Sequence, residues 1–119
     1  KNELGLIAKR PIANGAWRAN ENPNVHSAPT NYAEEYFNRA GIMTGEGSII
    51  NEPKDRIMTS IGYTFSFNDI DVGIIGTQNP KHLLSNIDMY EECLEMPKEV
   101  VNELNKRFDK FGKNWDQRT

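Results

Sequence analysis

Val72-Gly73-Ile74-Ile75 is a continuous apolar run that ends at Gly76. A run without polar alternation is typical of a strand buried on both faces, as in a parallel sheet. Leu4-Gly5-Leu6-Ile7-Ala8 is a second such run, and it stops at Lys9-Arg10-Pro11. Because helical patterns separate the two runs, the sequence predicts a βαβ crossover, an α/β fold and two strands that are parallel neighbours.

Composition excludes several classes of protein. The 119 residues allow one domain, and 14 basic against 17 acidic residues give a net charge of -3 without a dense basic cluster, which argues against a nucleic-acid partner. No apolar run approaches the roughly 20 residues of a membrane span. The single cysteine, Cys93, favours a reducing compartment, so we expect a soluble, cytoplasmic protein.

The chain starts with Lys1 and enters an apolar run within three residues, a start typical of the interior of a longer protein. Four helices are predicted. They begin at Thr30, at Pro53, at Asn79-Pro80 and at Pro97, and Gly41 is expected to end the first of them. In the last helix, Glu103 and Arg107 are four residues apart and should pair on its solvent side.

The first motif, residues 8–15, is Ala8-Lys9-Arg10-Pro11-Ile12-Ala13-Asn14-Gly15. It follows a strand directly, and Asn14-Gly15 favours a turn. Its two basic groups would then converge at the carboxyl end of the strand, where α/β barrels place active sites. A plain exposed loop without a helix is the other interpretation of this motif.

The second motif, residues 74–86, is a strand end, a glycine turn and the start of a helix. Gly76 would let a ligand approach the backbone, Thr77 and Gln78 offer hydrogen bonds, and free amides at the helix start attract anions. This chemistry suits a phosphate or sugar-phosphate, although the motif has neither the P-loop nor the Rossmann glycine pattern. An ordinary loop-to-helix junction remains the alternative.

Taken together and in this order, the two motifs resemble those of the bacterial and archaeal aldo/keto reductases. The resemblance covers nearly the whole chain and includes the helix that starts at Met96-Pro97 and the region 111–117 with Trp115. It implies that residues 1–119 are the C-terminal portion of a (β/α)8 TIM barrel, namely its last two βα units and the C-terminal helix. The N-terminal part of the same barrel would be its partner.

The resemblance also implies a cofactor, NADP or NAD. The residues expected against the nicotinamide and pyrophosphate are Lys9, Arg10, Pro11, Ile12 and Asn14. Those expected near the adenosine ribose and its 2′-phosphate are Gly76, Thr77, Gln78 and Asn79, with His82 and Asn86 around the adenine. Many members of the family have a tyrosine at the Lys9 position, and members with strong NADPH preference often have Lys and Arg at the Gly76 and His82 positions, so this chain departs from the family there.

By the same resemblance, the parent protein is an NAD(P)H-dependent oxidoreductase that reduces a small carbonyl substrate to an alcohol. No catalytic residue is assigned, because the family's tyrosine, lysine, histidine and aspartate lie on early barrel strands that this chain lacks. The tyrosines at positions 32, 36, 63 and 90 fall on helical patterns and are interpreted as packing residues. A non-catalytic scaffold with a truncated barrel is the alternative. Because barrel strands need partners on both edges, a large exposed apolar surface is expected on the inner faces of this chain's helices.

Overall fold

The computed structural model of the protein describes residues 4–16, 33–92 and 95–116. Two short strands and four α-helices make up these ranges, together with one 3₁₀ turn. In chain order they are β1 (Ile7–Lys9), the 3₁₀ turn (Ala13–Gly15), α1 (Glu34–Thr44), α2 (Arg56–Phe65), β2 (Val72–Ile74), α3 (Pro80–Glu92) and α4 (Lys98–Phe111). This is a mixed α/β arrangement in which a two-stranded sheet lies beside helices.

The two strands are parallel neighbours, as the sequence predicts. Their register aligns Ile7 with Val72 and Lys9 with Ile74. β1 begins later than the predicted run, because Leu6 is held at its start by the side chain of Asp71, whose Oδ2 accepts a hydrogen bond from the Leu6 amide at 2.8 Å. The main-chain amide of Asp71 returns a bond to the Leu6 carbonyl at 3.0 Å, so this pair fixes where the sheet starts.

The prediction that both strands are buried on both faces is wrong for this chain. Ile7, Val72 and Ile74 are all about half exposed or more. The ring of Phe65 packs closely against Gly73 of β2. A methyl group added to Gly73 would lie 2.8 Å from Phe65 Cζ. Among the described residues the sheet has two strands, so each keeps one edge without a strand partner.

The helix starts follow local capping chemistry. Asn79 caps α3 as predicted, since its Oδ1 accepts a hydrogen bond from the Lys81 amide at 3.0 Å. Pro97 directly precedes α4, also as predicted. The start predicted at Pro53 is shifted by three residues, because Asp55 is the cap of α2 and accepts from the Ile57 amide at 2.8 Å.

Two predictions about α1 and α4 need correction. Gly41 does not end α1, which continues to Thr44. The reason is a contact from α4: Arg107 Nη1 donates to the Met43 carbonyl at 2.8 Å and so satisfies one of the carbonyls that a helix end leaves free. Arg107 does pair with Glu103 at 3.0 Å, but its side chain is only 5% exposed rather than on the solvent side.

The main core of the described residues lies where α1 and α4 meet. Its members come from both helices and from the loops between the elements, and three half-buried side chains pack around them. The buried members are Met43, Ile49, Met96, Val100 and Leu104, and the surrounding ones are Tyr63, Val101 and Trp115. The cluster draws on four different segments, so it joins the loops to the helices.

α3 stands apart from this core. It has no buried side chain, and its apolar residues Leu83, Leu84 and Ile87 are exposed. An edge-to-face contact between Phe65 and Tyr90, with ring centres 4.8 Å apart, ties α3 to α2. The exposed apolar face expected on the helices is thus present on α3, and the apolar residues of both strands are exposed as well.

The sequence predictions at Thr30, Tyr32 and Cys93 concern residues that lie outside the described ranges. The three remaining tyrosines are on helices, as predicted. No helix in the described ranges has both the length and the apolar character needed to cross a membrane.

Ile61 offers a test of the core. Its side chain is fully buried, whereas Ile50 is 79% exposed, so Ile61→Ala and Ile50→Ala remove the same atoms from opposite environments. We expect Ile61→Ala to lower the free energy of unfolding by about 2–5 kcal/mol and Ile50→Ala by less than about 0.5 kcal/mol. Urea denaturation followed by circular dichroism measures both, and equal losses would contradict the described packing.

Candidate functional site

Both sequence motifs leave the sheet at the same end. Because Lys9 and Ile74 are aligned and are the last residues of their strands, residues 10–14 and 75–79 both follow the carboxyl end of the parallel pair. This placement is the one that the sequence predicts. Ligands of α/β proteins bind outside the carboxyl ends of parallel strands, so this end is the candidate site.

The backbone of the first motif is tightly folded. Arg10 and Ala13 have left-handed φ angles of 64° and 45°, which is uncommon for residues other than glycine. The Ala13 amide donates to the Arg10 carbonyl at 2.9 Å and the Gly15 amide to the Ile12 carbonyl at 2.8 Å, and a 3₁₀ turn results. The motif therefore forms a turn, as its sequence predicts, and its left-handed residues are held by these hydrogen bonds.

The side chains of the first motif differ in exposure. Lys9 is exposed, while Arg10, Pro11 and Ile12 are half-buried. Arg10 Nη1 donates to the hydroxyl of Tyr36 on α1 at 2.8 Å, so the turn is joined to the helix layer. The side chain of Asn14 lies outside the part of the chain that the structure describes.

The second motif forms a self-bonded junction. Thr77 Oγ1 accepts from the Asn79 amide at 3.2 Å, and Asn79 in turn accepts from the first turn of α3, through its side chain from Lys81 and through its carbonyl from His82 at 3.0 Å. The prediction that free helix amides await an anion needs correction, because the amides of Lys81 and His82 are bonded within the chain. Loop amides and side chains are the remaining donors here.

The remaining predicted residues of this motif lie on the open surface. Gly76 and Gln78 are exposed, and a methyl group added to Gly76 would meet no atom within 4 Å. His82 and Asn86 are four residues apart on α3, so they share one helix face. A ligand lying along this surface could contact the loop and that face together.

A cavity of about 380 Å³ adjoins the first motif but not the second. Lys9, Arg10 and Pro11 border it, whereas none of residues 76–86 does. The other described lining residues come from β1, the 3₁₀ turn, α1, α2, α4 and the segment after α4. They are Ala8, Ala13, Tyr36, Arg39, Ala40, Met43, Arg56, Thr59, Ser60, Tyr63, Thr64, Leu104, Phe108 and Trp115.

Among the described residues of the cavity wall, the charged ones are all cationic. Four of its described lining residues are lysine or arginine, and none of them is a carboxylate. Arg39 pairs with Glu35 at 2.8 Å and lies 5.1 Å from the centre of the Trp115 ring. Arg56 pairs with Glu52 at 2.6 Å, and both side chains are largely shielded from solvent.

The hydroxyl groups of the wall are directed by their own helix. Ser60 Oγ donates to the Arg56 carbonyl at 2.9 Å and Thr64 Oγ1 to the Ser60 carbonyl at 2.9 Å, so both oxygens face a ligand as acceptors. Tyr63 donates to Asn105 Oδ1 at 2.6 Å. Burial raises the pKa of the Tyr63 phenol, which therefore stays neutral at pH 7.

Sequence reasoning missed Tyr36, Arg39 and Arg56 as site residues. Tyr36 and Arg39 are three residues apart and share a face of α1, and this spacing was a usable signal of a polar patch. Nothing in the sequence connects that patch with Arg56 or with the first motif, because the contacts are set by how α1 packs.

Comparison of the chain with protein-family models, with curated proteins and with solved structures finds no match. The resemblance to aldo/keto reductases therefore depends on the sequence motifs and the C-terminal region of the chain alone. The described residues also contain no group of three His, Cys, Asp or Glu side chains that could hold a metal ion.

The cap at Asn79 can be tested directly. Asn79→Ala removes the acceptor for the Lys81 amide, and we expect it to destabilise α3 by about 1 kcal/mol. Asn79→Asp keeps an acceptor at the same place and should keep most of the stability. Amide hydrogen exchange of residues 81–86 reports the difference, and equal exchange in Asn79→Ala and the parent chain would contradict the capping role.

Proposed function

We propose that this chain belongs to an NAD(P)H-dependent oxidoreductase of the aldo/keto reductase type, which reduces a carbonyl to an alcohol. In this proposal the chain supplies contacts to the phosphate and adenine end of the cofactor. The observation that supports it best is the parallel pairing of β1 and β2 with Lys9 opposite Ile74. It brings the two motifs that carry the resemblance to one end of one sheet, where ligands of α/β proteins bind.

The proposed cofactor would lie along the exposed loops. Residues 9–14 would border the nicotinamide and pyrophosphate, residues 76–79 the ribose, and His82 with Asn86 the adenine. The open space beside Gly76 fits this placement, since a ligand could approach the main chain there without displacing a side chain. When bound, such a cofactor supplies the hydride, and this chain would hold its remote end.

The choice between NADP and NAD depends on how a 2′-phosphate would be held. The amides of Lys81 and His82 are bonded within the chain, so backbone capture at the start of α3 is reduced. The Lys81 side chain is exposed, and it is the cation of the second motif that lies next to His82 in sequence. Both cofactors therefore stay in the proposal.

The proposal includes a setting for the chain. β1 with the helices that follow it, and β2 with α3, would be the last two βα units of a TIM barrel, with α4 as the C-terminal helix. The N-terminal part of that barrel would cover the exposed strands and α3 and would carry the proton donor. A cytoplasmic location is proposed on the single cysteine, Cys93, which suits a reducing compartment.

The exposed apolar side chains of α3 also favour a second candidate, a non-catalytic interaction protein. Leu83, Leu84 and Ile87 form a surface of the kind that marks a protein contact. The two candidates differ in one measurable property, because a scaffold needs no nucleotide at the ends of β1 and β2.

Cofactor binding is the test of the proposal. Titration of the ¹⁵N-labelled chain with NADPH and, separately, NADH should shift the amide signals of residues 9–14 and 76–79. Thr77→Ala and Asn86→Ala each remove one neutral hydrogen-bonding side chain, and we expect Kd to rise about two- to tenfold.

Asn102→Ala is the matched control, since Asn102 is exposed on α4 away from both motifs and its loss should leave Kd unchanged. Absence of shifts at both motifs, at millimolar NADPH and NADH, would refute the cofactor site. Shifts confined to other surfaces would favour the scaffold.

The 119-residue chain should not by itself catalyse NADPH-dependent carbonyl reduction. General acid catalysis needs a positioned proton donor, and the proposal places that group on the part of the barrel that precedes this chain. Absorbance at the reduced-nicotinamide band, with a small aldehyde as substrate, follows the reaction. Steady oxidation above a no-protein control by a sample of verified mass would show that the assignment of roles is wrong.

A further inference from the structure

We propose that the cavity beside the first motif binds a small organic carboxylate with an apolar body. The cavity shares Lys9, Arg10 and Pro11 with the nicotinamide side of the proposed cofactor site, but no residue of the second motif borders it, so its ligand differs from the phosphate and adenine end. At about 380 Å³, the volume is in the range of pockets that hold small molecules. The cavity is thus large enough for one ring with a short acidic chain.

The charge of the wall selects an anion. The described lining residues include four cations and no carboxylate. Two of the cations, Arg39 and Arg56, are balanced by Glu35 and Glu52 at 2.8 and 2.6 Å. Lys9 makes no ion pair within the described part of the chain, so one cationic residue of the wall has no carboxylate partner there.

The head-group position is set by Arg10 and Tyr36. The Tyr36 oxygen accepts the hydrogen bond from Arg10 Nη1 at 2.8 Å, which leaves the phenolic hydrogen to donate to a ligand. A carboxylate next to this pair would receive a charge-assisted bond from Arg10 and a second bond from Tyr36. Hydrogen-bond donors are therefore grouped at Arg10 and Tyr36, whereas the Ser60 and Thr64 hydroxyls offer a ligand only acceptors.

The opposite wall suits an apolar body. Met43, Leu104, Phe108 and Trp115 border the cavity, and the rings of Phe108 and Trp115 meet edge to face with centres 6.1 Å apart. A ring or branched alkyl group placed against these side chains would be partly removed from water. Inorganic phosphate or acetate lacks this body and should bind much less tightly.

The backbone at Arg10 makes the proposal testable without unfolding the protein. Its φ of 64° is unfavourable for arginine but free for glycine, so Arg10→Gly removes the guanidinium while relieving the backbone. If Arg10→Gly loses binding while its unfolding stability equals or exceeds that of the parent chain, the loss is due to the missing guanidinium and not to unfolding.

The experiment uses 4-phenylbutyrate and its neutral isostere 4-phenylbutanamide as probes, titrated into the chain and followed by NMR shifts. We expect the carboxylate to bind about tenfold more tightly than the amide. Arg10→Gly should abolish that affinity ratio, and Tyr36→Phe should reduce it. Two control variants should leave the ratio unchanged. They are Lys106→Met, which removes an exposed cation outside the cavity, and Leu84→Ala on the exposed face of α3.

Equal affinity for the two probes would overturn the proposal, and so would a ratio that survives Arg10→Gly. A ratio that falls in Lys106→Met as strongly as in Arg10→Gly would also overturn it, because the preference would then reflect overall charge. None of these titrations contains NADPH, so a failure of the carboxylate proposal can be distinguished from a failure of the proposed cofactor site.

Discussion

The buried guanidinium of Arg107 is the constraint on which the helix layer depends. A charge removed from water is unfavourable unless it is paired and hydrogen-bonded. Arg107 meets that condition by donating to Glu103 at 3.0 Å and to the Met43 carbonyl at 2.8 Å, and its bond to Glu103 lowers the pKa of that carboxyl. The second bond also satisfies the end of α1, where helix carbonyls lack partners and cations are favoured. One side chain therefore fixes how α1 lies on α4.

The position of α1 then determines the candidate sites. With Met43 held by Arg107, the preceding turns of α1 carry Tyr36 to the first motif, where its hydroxyl accepts the bond from Arg10. Arg10 has a left-handed backbone that costs about 1–2 kcal/mol in an ordinary residue, and surrounding contacts have to over-determine such a conformation. The contacts here are the 3₁₀ turn and Tyr36. Helix packing, turn geometry and the cavity are thus parts of one arrangement, whereas the second motif is organised locally by Asn79.

This division explains what the sequence could predict. The cap at Asn79 and the start of α4 after Pro97 follow from chemistry within a few residues, and the parallel pairing follows from two apolar runs separated by helices. The burial of Arg107 could not be foreseen, because its spacing from Glu103 indicates a pair but not what covers it. The extension of α1 through Gly41 has the same origin, since the contact at Met43 offsets the roughly 1 kcal/mol that glycine costs in a helix. The cavity joins cations from three segments, and only their packing brings them together.

The exposed apolar surface distinguishes the kinds of partner that would complete this chain. Burying a leucine or isoleucine contributes about 1.5–3 kcal/mol, and on α3 this gain is only partly realised within the described residues. Any apolar surface could cover that face, so it does not discriminate between a barrel and a scaffold. The strand edges do discriminate, because an edge pairs through main-chain groups and accepts only another strand. β1 and β2 each have one edge without a strand among the described residues. A barrel would supply a strand to both edges, whereas a partner that adds one strand would cover only one of them. Protection of both edges in the complete protein would therefore be evidence for a closed sheet, independent of whether a nucleotide binds.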